Sequence, residues 1–349
     1  MVQKFTKFCI FLFWVALLWI PVGSFGSARA ADASNLTSNV ADAAIARHET
    51  SPEPSLDLGL LTDLQGMWYG RGWNIIAIPI QGSSTHTNCE STTGPSGFCV
   101  HAEPYCEILD ITQPVSVENR LLPEILVNVG LAYDQKVFSP NDWNPGNRPP
   151  ECPPDLVNRE DFQQVHGETG MWLLLGEGEN KIVRTFSLPR GNSVLATGQA
   201  ESVDSLSAIT PTGAFPVGEL GAGEIFYNTP YRRLNSALKR FLNLRNPNRA
   251  LGKELARGNS ATVLTVSTDN LGGAIANIPS LDRPNDAEDA FQVPAFKATF
   301  WIENIDDRDD LQLQYSQTTD LDFIKDINGD LILWPHVDVS TLCKDAYCE

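Results

Sequence analysis

The chain predicts an all-β fold: an antiparallel, roughly ten-stranded barrel with long loop insertions and one short helix. Ten runs of strand-favouring residues bounded by Gly, Pro, Asn and Asp cover 73–79, 105–113, 125–137, 171–175, 181–188, 193–200, 261–268, 296–304, 311–323 and 331–339. Helical periodicity is scarce between them, and a meander of consecutive strands closes most simply as a barrel. The clearest alternation lies in 311–323. Leu313, Tyr315, Leu321 and Phe323 share one face, with Gln312, Gln314, Ser316, Thr318, Asp320 and Asp322 on the other, which predicts a core side and a wet side. Gln317 and Thr319 fall on the core side, where polar groups need partners from neighbouring side chains, water or a ligand.

Taken in order, residues 1–30 read as a secretory signal. Lys4 and Lys7 precede an apolar run to about Val22, and Ala28-Arg29-Ala30 forms the cleavage site. The run is short for a spanning helix, so the mature chain is expected to begin near Ala31, exported to a periplasmic or extracellular space. Loss of Lys4, Lys7 and Arg29 takes the net charge from −18 to −21. Such a chain is repelled by phosphate backbones and anionic lipid, which excludes nucleic acid as a partner. No later run is long and apolar enough to span a bilayer, so an integral membrane protein is not expected after cleavage.

Residues 31–58 read as a disordered polar tether carrying one sequon, Asn35-Leu36-Thr37. Residues 59–349 suffice for a single barrel domain with inserted loops. Six cysteines outlast the signal: Cys89, Cys99, Cys106, Cys152, Cys343 and Cys348. An even set in an exported chain reads as disulfides, with Cys343 and Cys348 close enough for a local pairing and the connectivity otherwise open. The long segments 85–101, 141–164, 201–231 and 280–292 are loops, the first two expected to be stapled over one barrel mouth. In 232–243, Leu234, Leu238 and Leu242 at fourfold spacing mark the short surface helix.

Two glycine-punctuated tryptophan motifs carry the chemistry. In 68–76, Trp68, Gly70, Gly72 and Asn74 share a face, so the glycines either open space beside a tryptophan floor for a flat ligand or relieve curvature. In His166-Gly167-Glu168-Thr169-Gly170-Met171-Trp172, residues two apart put His166, Glu168, Gly170 and Trp172 on one face. Together with Glu303, His166 and Glu168 also form a candidate acid–base set for a hydrolase or isomerase acting on a polar substrate. Arg184 is placed to pair with Glu168 or Glu303 inside the barrel. No phosphate loop, dinucleotide fingerprint, nucleophile elbow or histidine-rich metal motif is present in the sequence.

Gly66-Met67-Trp68-Tyr69-Gly70-Arg71-Gly72, the His166–Gly170 motif before a strand, the turn Pro189-Arg190-Gly191, and a histidine in the final strand, His336, occur in an order that resembles the lipocalin-like, nitrobindin-like haem-binding β-barrels. The resemblance spans most of 60–342 in a chain about twice the size of a minimal member. It implies a b-type haem bound through His336 as axial metal ligand, with His166 as a pocket residue or second candidate and Trp68, Gly70, Gly72 and Glu168 around it. It also implies haem-iron chemistry on reactive nitrogen or oxygen species. Read from the residues alone, His336 shares its face with Ile332, Trp334 and Asp338, opposite the more apolar Leu331, Leu333, Val337 and Val339, and which face is inward stays open. The function expected is the binding of a small hydrophobic ligand, haem or, in a haem-free barrel, a lipid or pigment. A third option is an interaction module whose loops bind a protein.

Overall fold

The computed structural model describes residues 56–80, 89–90, 97–121, 124–175, 180–187, 192–205, 209–218, 220–251, 260–277, 292–304, 311–325 and 331–348. The signal segment, nearly all of the tether and the Pro189–Gly191 turn therefore lie outside the described residues. The strands are β1 Gly66–Ile80, β2 Cys89–Glu90, β3 Gly97–Leu121, β4 Glu124–Pro140, β5 Phe162–Leu175, β6 Lys181–Ser187, β7 Ser193–Val203, β8 Ala261–Ser267, β9 Ala274–Ala276, β10 Gln292–Asn304, β11 Leu311–Lys325 and β12 Leu331–Lys344. Every long strand pairs antiparallel with the next. The pairing of β1 with both β3 and β12 closes a ten-strand meander, leaving β2 and β9 as short appendages. Each of the ten predicted runs falls on one barrel strand.

The interior is an apolar cluster containing Trp68, Leu131, Trp172, Phe186, Phe296, Phe300 and Leu313. A 3-10 turn, Gly59–Leu64, plugs one end by setting Leu61 and Leu64 into that cluster, and Leu64 O accepts a 2.8 Å hydrogen bond from the Trp68 indole N–H. Leu58, placed in the tether by sequence, belongs to this core.

A second apolar layer covers the opposite face of the sheet. The helix Glu224–Leu238 and the segments beside it pack Tyr231, Leu234, Leu238, Leu242 and Leu244 against Trp73, Ile75, Val263, Trp301, Val337 and Val339. The leucine stripe read as a surface helix is therefore buried, and the helix starts eight residues before the expected position. The same layer overturns the wet side of β11. Gln312, Gln314, Ser316, Thr318 and Asp322 are all buried, and Gln314 Nε2 donates to Leu251 O at 3.2 Å and Thr341 Oγ1 at 2.9 Å. Gln314 Oε1 has no partner among the described residues, so the amide is only half satisfied, and a polar stripe does not by itself mark solvent.

Disulfides join Cys106 to Cys152 and Cys343 to Cys348. Cys99 is also disulfide-bonded and lies opposite Cys89 in the β2–β3 register. The Cys106–Cys152 bond ties the segment after β4 to the outer wall, beside Phe138, Leu156 and Phe162, rather than across a mouth. Among the described residues no helix is long and apolar enough to cross a membrane.

Candidate functional site

The register settles which face of the last strand is inward. Leu342 lies in the interior cluster, and Ser340, Asp338 and His336 follow on the same face, opposite Tyr315, Gln317 and Thr319 of β11. His336 therefore points into the barrel. His166 follows Trp172 and Glu168 along the inner face of β5 in the same way. Both histidines lie at the end away from the Gly59–Leu64 plug, and their side chains keep 27% (His166) and 21% (His336) exposure.

Beneath them lie three polar groups, two of them joined, where the family resemblance implies an apolar pocket. In the first, Arg184 Nη2 donates to Glu168 Oε1 at 2.7 Å and Arg184 Nε to the Tyr133 hydroxyl at 3.0 Å, while that hydroxyl donates to Glu168 Oε1. The guanidinium sits within 4.6–5.6 Å of the ring centres of Tyr133, Trp172, Phe186, Phe296 and Phe300. In the second, Glu107 accepts from Gln135 Nε2 at 2.7 Å, Tyr315 at 2.8 Å and Ser340 at 2.8 Å. In the third, Asn74 Nδ2 lies 2.8 Å from Asp338 Oδ1 and 2.6 Å from His336 Nε2, and His336 Nε2 lies 3.4 Å from Asp338 Oδ2. Gln317 joins the first to the third, accepting from Arg184 Nη1 at 3.1 Å and donating to Asp338 at 3.3 Å.

The electrostatics follow from these contacts. Burial opposes ionisation of Glu168, yet Arg184, His166 and Tyr133 outweigh it and hold the carboxyl below its usual range. Burial likewise opposes Asp338, but His336, Asn74 and Gln317 keep it ionised. Glu107 is pushed up to about 7, because burial exceeds what its three donors return. Burial works against a charged His166, but Glu168, with Asp338 and Glu107 behind it, holds the imidazole above its ordinary value. Removing only the hydroxyl that bridges Arg184 and Glu168, in Tyr133→Phe, is expected to cost about 1–2 kcal/mol. A thermal melt unchanged from wild type would show that the hydroxyl contributes nothing.

Of the residues singled out by sequence, Glu168, His166, His336 and Trp68 all reach the interior. The space beside Gly72 is filled by Tyr105, whose ring would lie 2.4 Å from an added Cβ, and at Gly70 a Cβ would meet Thr341 O at 2.0 Å. Both glycines serve close strand approach. Glu303 lies on the opposite face of the sheet, on the same face as Trp301, so it leaves the proposed set with His166 and Glu168, and Arg184 pairs with Glu168 alone of the two. Asp338, Glu107, Gln135 and Tyr315 were not singled out as site residues. The available signal was alternation, which puts Glu107 on the face of Leu109 and Ile111.

A haem needs an imidazole nitrogen free for iron and flat apolar walls. His336 Nε2 is engaged by Asn74 and faces Asp338, and the adjoining walls are amide and carboxylate. The residues as arranged do not fit the group.

Fold and site together define a closed ten-strand meander barrel with a polar, histidine-rimmed interior, a fold compatible with ligand binding. No family model and no curated protein sequence matches the chain. Among solved structures it is similar to the crystal structure of Rv2717c from M. tuberculosis, at 14% identity and a TM-score of 0.35, over 83% of this chain and 100% of that one.

Proposed function

We propose that this is an exported binding protein that takes a small hydrogen-bond-donating molecule, best a protonated amine, between His166 and His336. The observation that carries the reading is the surplus of acceptors in the interior. Gln135 Oε1 is buried without a partner beside Glu107, whose carboxyl and that of Asp338 lack the permanent cation that Glu168 has in Arg184. A buried acceptor without a donor is costly, and an ammonium group supplies several donors together with the charge. The part-open histidines give the route in. Export is supported by the signal-like start of the chain and by the disulfides.

Haem b on His336, with chemistry on reactive nitrogen or oxygen species, is the reading favoured by the family resemblance. The inward, part-open His336 speaks for it, and the engaged Nε2 speaks against it.

Calorimetric titration of the oxidised protein with benzylammonium, beside neutral benzyl alcohol, separates the readings when run with a haemin titration. The expected result is saturable uptake of the amine alone, weakened at least about tenfold in Asp338→Asn, and no His336-dependent Soret band. A sharp band at one equivalent that disappears in His336→Ala would overturn the amine reading in favour of haem.

A further inference from the structure

We infer that the interior takes a linear diammonium chain, with one ammonium at Asp338 and the other deeper, at Glu107 and Gln135; the inference deepens the proposed function and rests on it. Three carboxylates are buried inside the barrel, those of Glu107, Glu168 and Asp338, and Arg184 is the one buried cation among the described residues. Its guanidinium is committed to Glu168, 2.7 Å away. Asp338 is met by the amides of Asn74 and Gln317 and by His336 at 3.4 Å, which carries charge only when protonated. Glu107 is met by an amide and two hydroxyls, all of them neutral. Neutral donors satisfy lone pairs and leave the net charge unanswered. Two such carboxylates call for a ligand that is positive at both ends.

Strand geometry sets the length of that ligand. Asp338 and Ser340 are alternate residues on the inward face of β12, about 7 Å apart along the strand. Ser340 Oγ donates to Glu107 Oε2 at 2.8 Å, which places that carboxyl one step deeper than Asp338, toward Leu342 and the Gly59–Leu64 plug. Glu107 reaches Ser340 from β3 because β1, the strand between β3 and β12, carries Gly70 and Gly72 there and puts no side chain in the way. An extended chain advances about 1.2 Å per bond, so about five carbons hold two ammonium groups at that separation. Gln135 Oε1, buried without a partner on the amide that donates to Glu107, is a further acceptor for the inner ammonium.

The test is calorimetric titration of the oxidised protein with pentamethylenediammonium and pentylammonium at about pH 8, where both amines stay protonated and Glu107, pushed up to about 7, is ionised. The diammonium should bind one to one and at least about tenfold more tightly than the monoammonium. Aminopentanol, whose far end is neutral, should match pentylammonium, and ethylenediammonium, with its charges too close together, should gain nothing over ethylammonium. Glu107→Gln should erase the diammonium advantage and leave pentylammonium unchanged, whereas Asp338→Asn should weaken both. The wild-type comparisons decide the question even where Glu107→Gln does not fold. Equal affinity for the two pentyl amines, an equal gain for ethylenediammonium, or an advantage that survives Glu107→Gln would overturn the second ammonium position while the single-amine reading stands. An absence of saturable uptake of any amine would overturn both.

Discussion

Arg184→Met is expected to lower the unfolding free energy by about 3–5 kcal/mol, the range for breaking a buried ion pair from one side. The guanidinium is 2.7 Å from Glu168 and enclosed by five aromatic rings, and both partners are at most 3% exposed. Its removal strands the Glu168 carboxylate in the interior with only Tyr133 and His166 to answer it. Glu168→Gln strands the guanidinium in the same way, so each single variant should cost more than half of what the double costs. Urea unfolding of wild type, both singles and the double gives the coupling directly. Additive costs would mean that the two groups do not act as a pair. A consequence follows for the acid–base reading of His166 and Glu168: loss of activity in Glu168→Gln would report catalysis only if the variant remains folded.

How much of this was legible in the sequence depends on whether the governing signal is local. Alternation and turn residues are local, which is why all ten strand runs fall on strands. The runs at 73–79 and 171–175 cover only part of β1 and β5, although the alternation read in 68–76 and 166–172 already carries the strand period through their glycines. In the barrel Gly70 sits within a strand, where the neighbouring strand leaves no room for a side chain. The segment 201–231 reads as loop, yet its last residues open the helix, with Pro230 inside it and buried. The polar face of β11 reads as a solvent face because nothing within 311–325 tells that residues 209–251 cover it. At the site, the period of two put the right side chains on a common face but left its direction open. Direction came from pairing, with Leu342 opposite Leu313 and Asp338 opposite Gln317. The Glu168–Arg184 contact was open to inspection as one of two options, while the three donors around Glu107 come from β4, β11 and β12 and had no signature in any one segment.

Glu303→Gln should do the opposite of most core substitutions and stabilise the protein, by an amount that grows from about pH 4.3 and is complete a little above about pH 7. Glu303 lies between Ala261 of β8 and Gln312 of β11, has no exposed surface, and neither carboxyl oxygen has a hydrogen-bond partner among the described residues. Burial alone pushes the carboxyl up to about 7. The folded value thus exceeds the unfolded one of about 4.3. The acid therefore supports folding fully below the unfolded value, and that support is lost as pH rises through about 7, where folding must hold a bare carboxylate in an apolar layer. Allowing for solvent screening near the strand end, the charge costs about 2 kcal/mol at pH 9. Glutamine keeps the shape and cannot ionise. Glu107 offers no such clean test, because an amide in its place would face three donors with a donor of its own. Denaturant midpoints of wild type and Glu303→Gln should therefore nearly coincide at about pH 4, separate between about pH 4.3 and about pH 7, and keep a constant gap from there to about pH 9, the variant being the more stable. A difference that is the same at both ends of the range would show that the carboxyl titrates alike in the folded and unfolded chain, and that its burial carries no electrostatic cost.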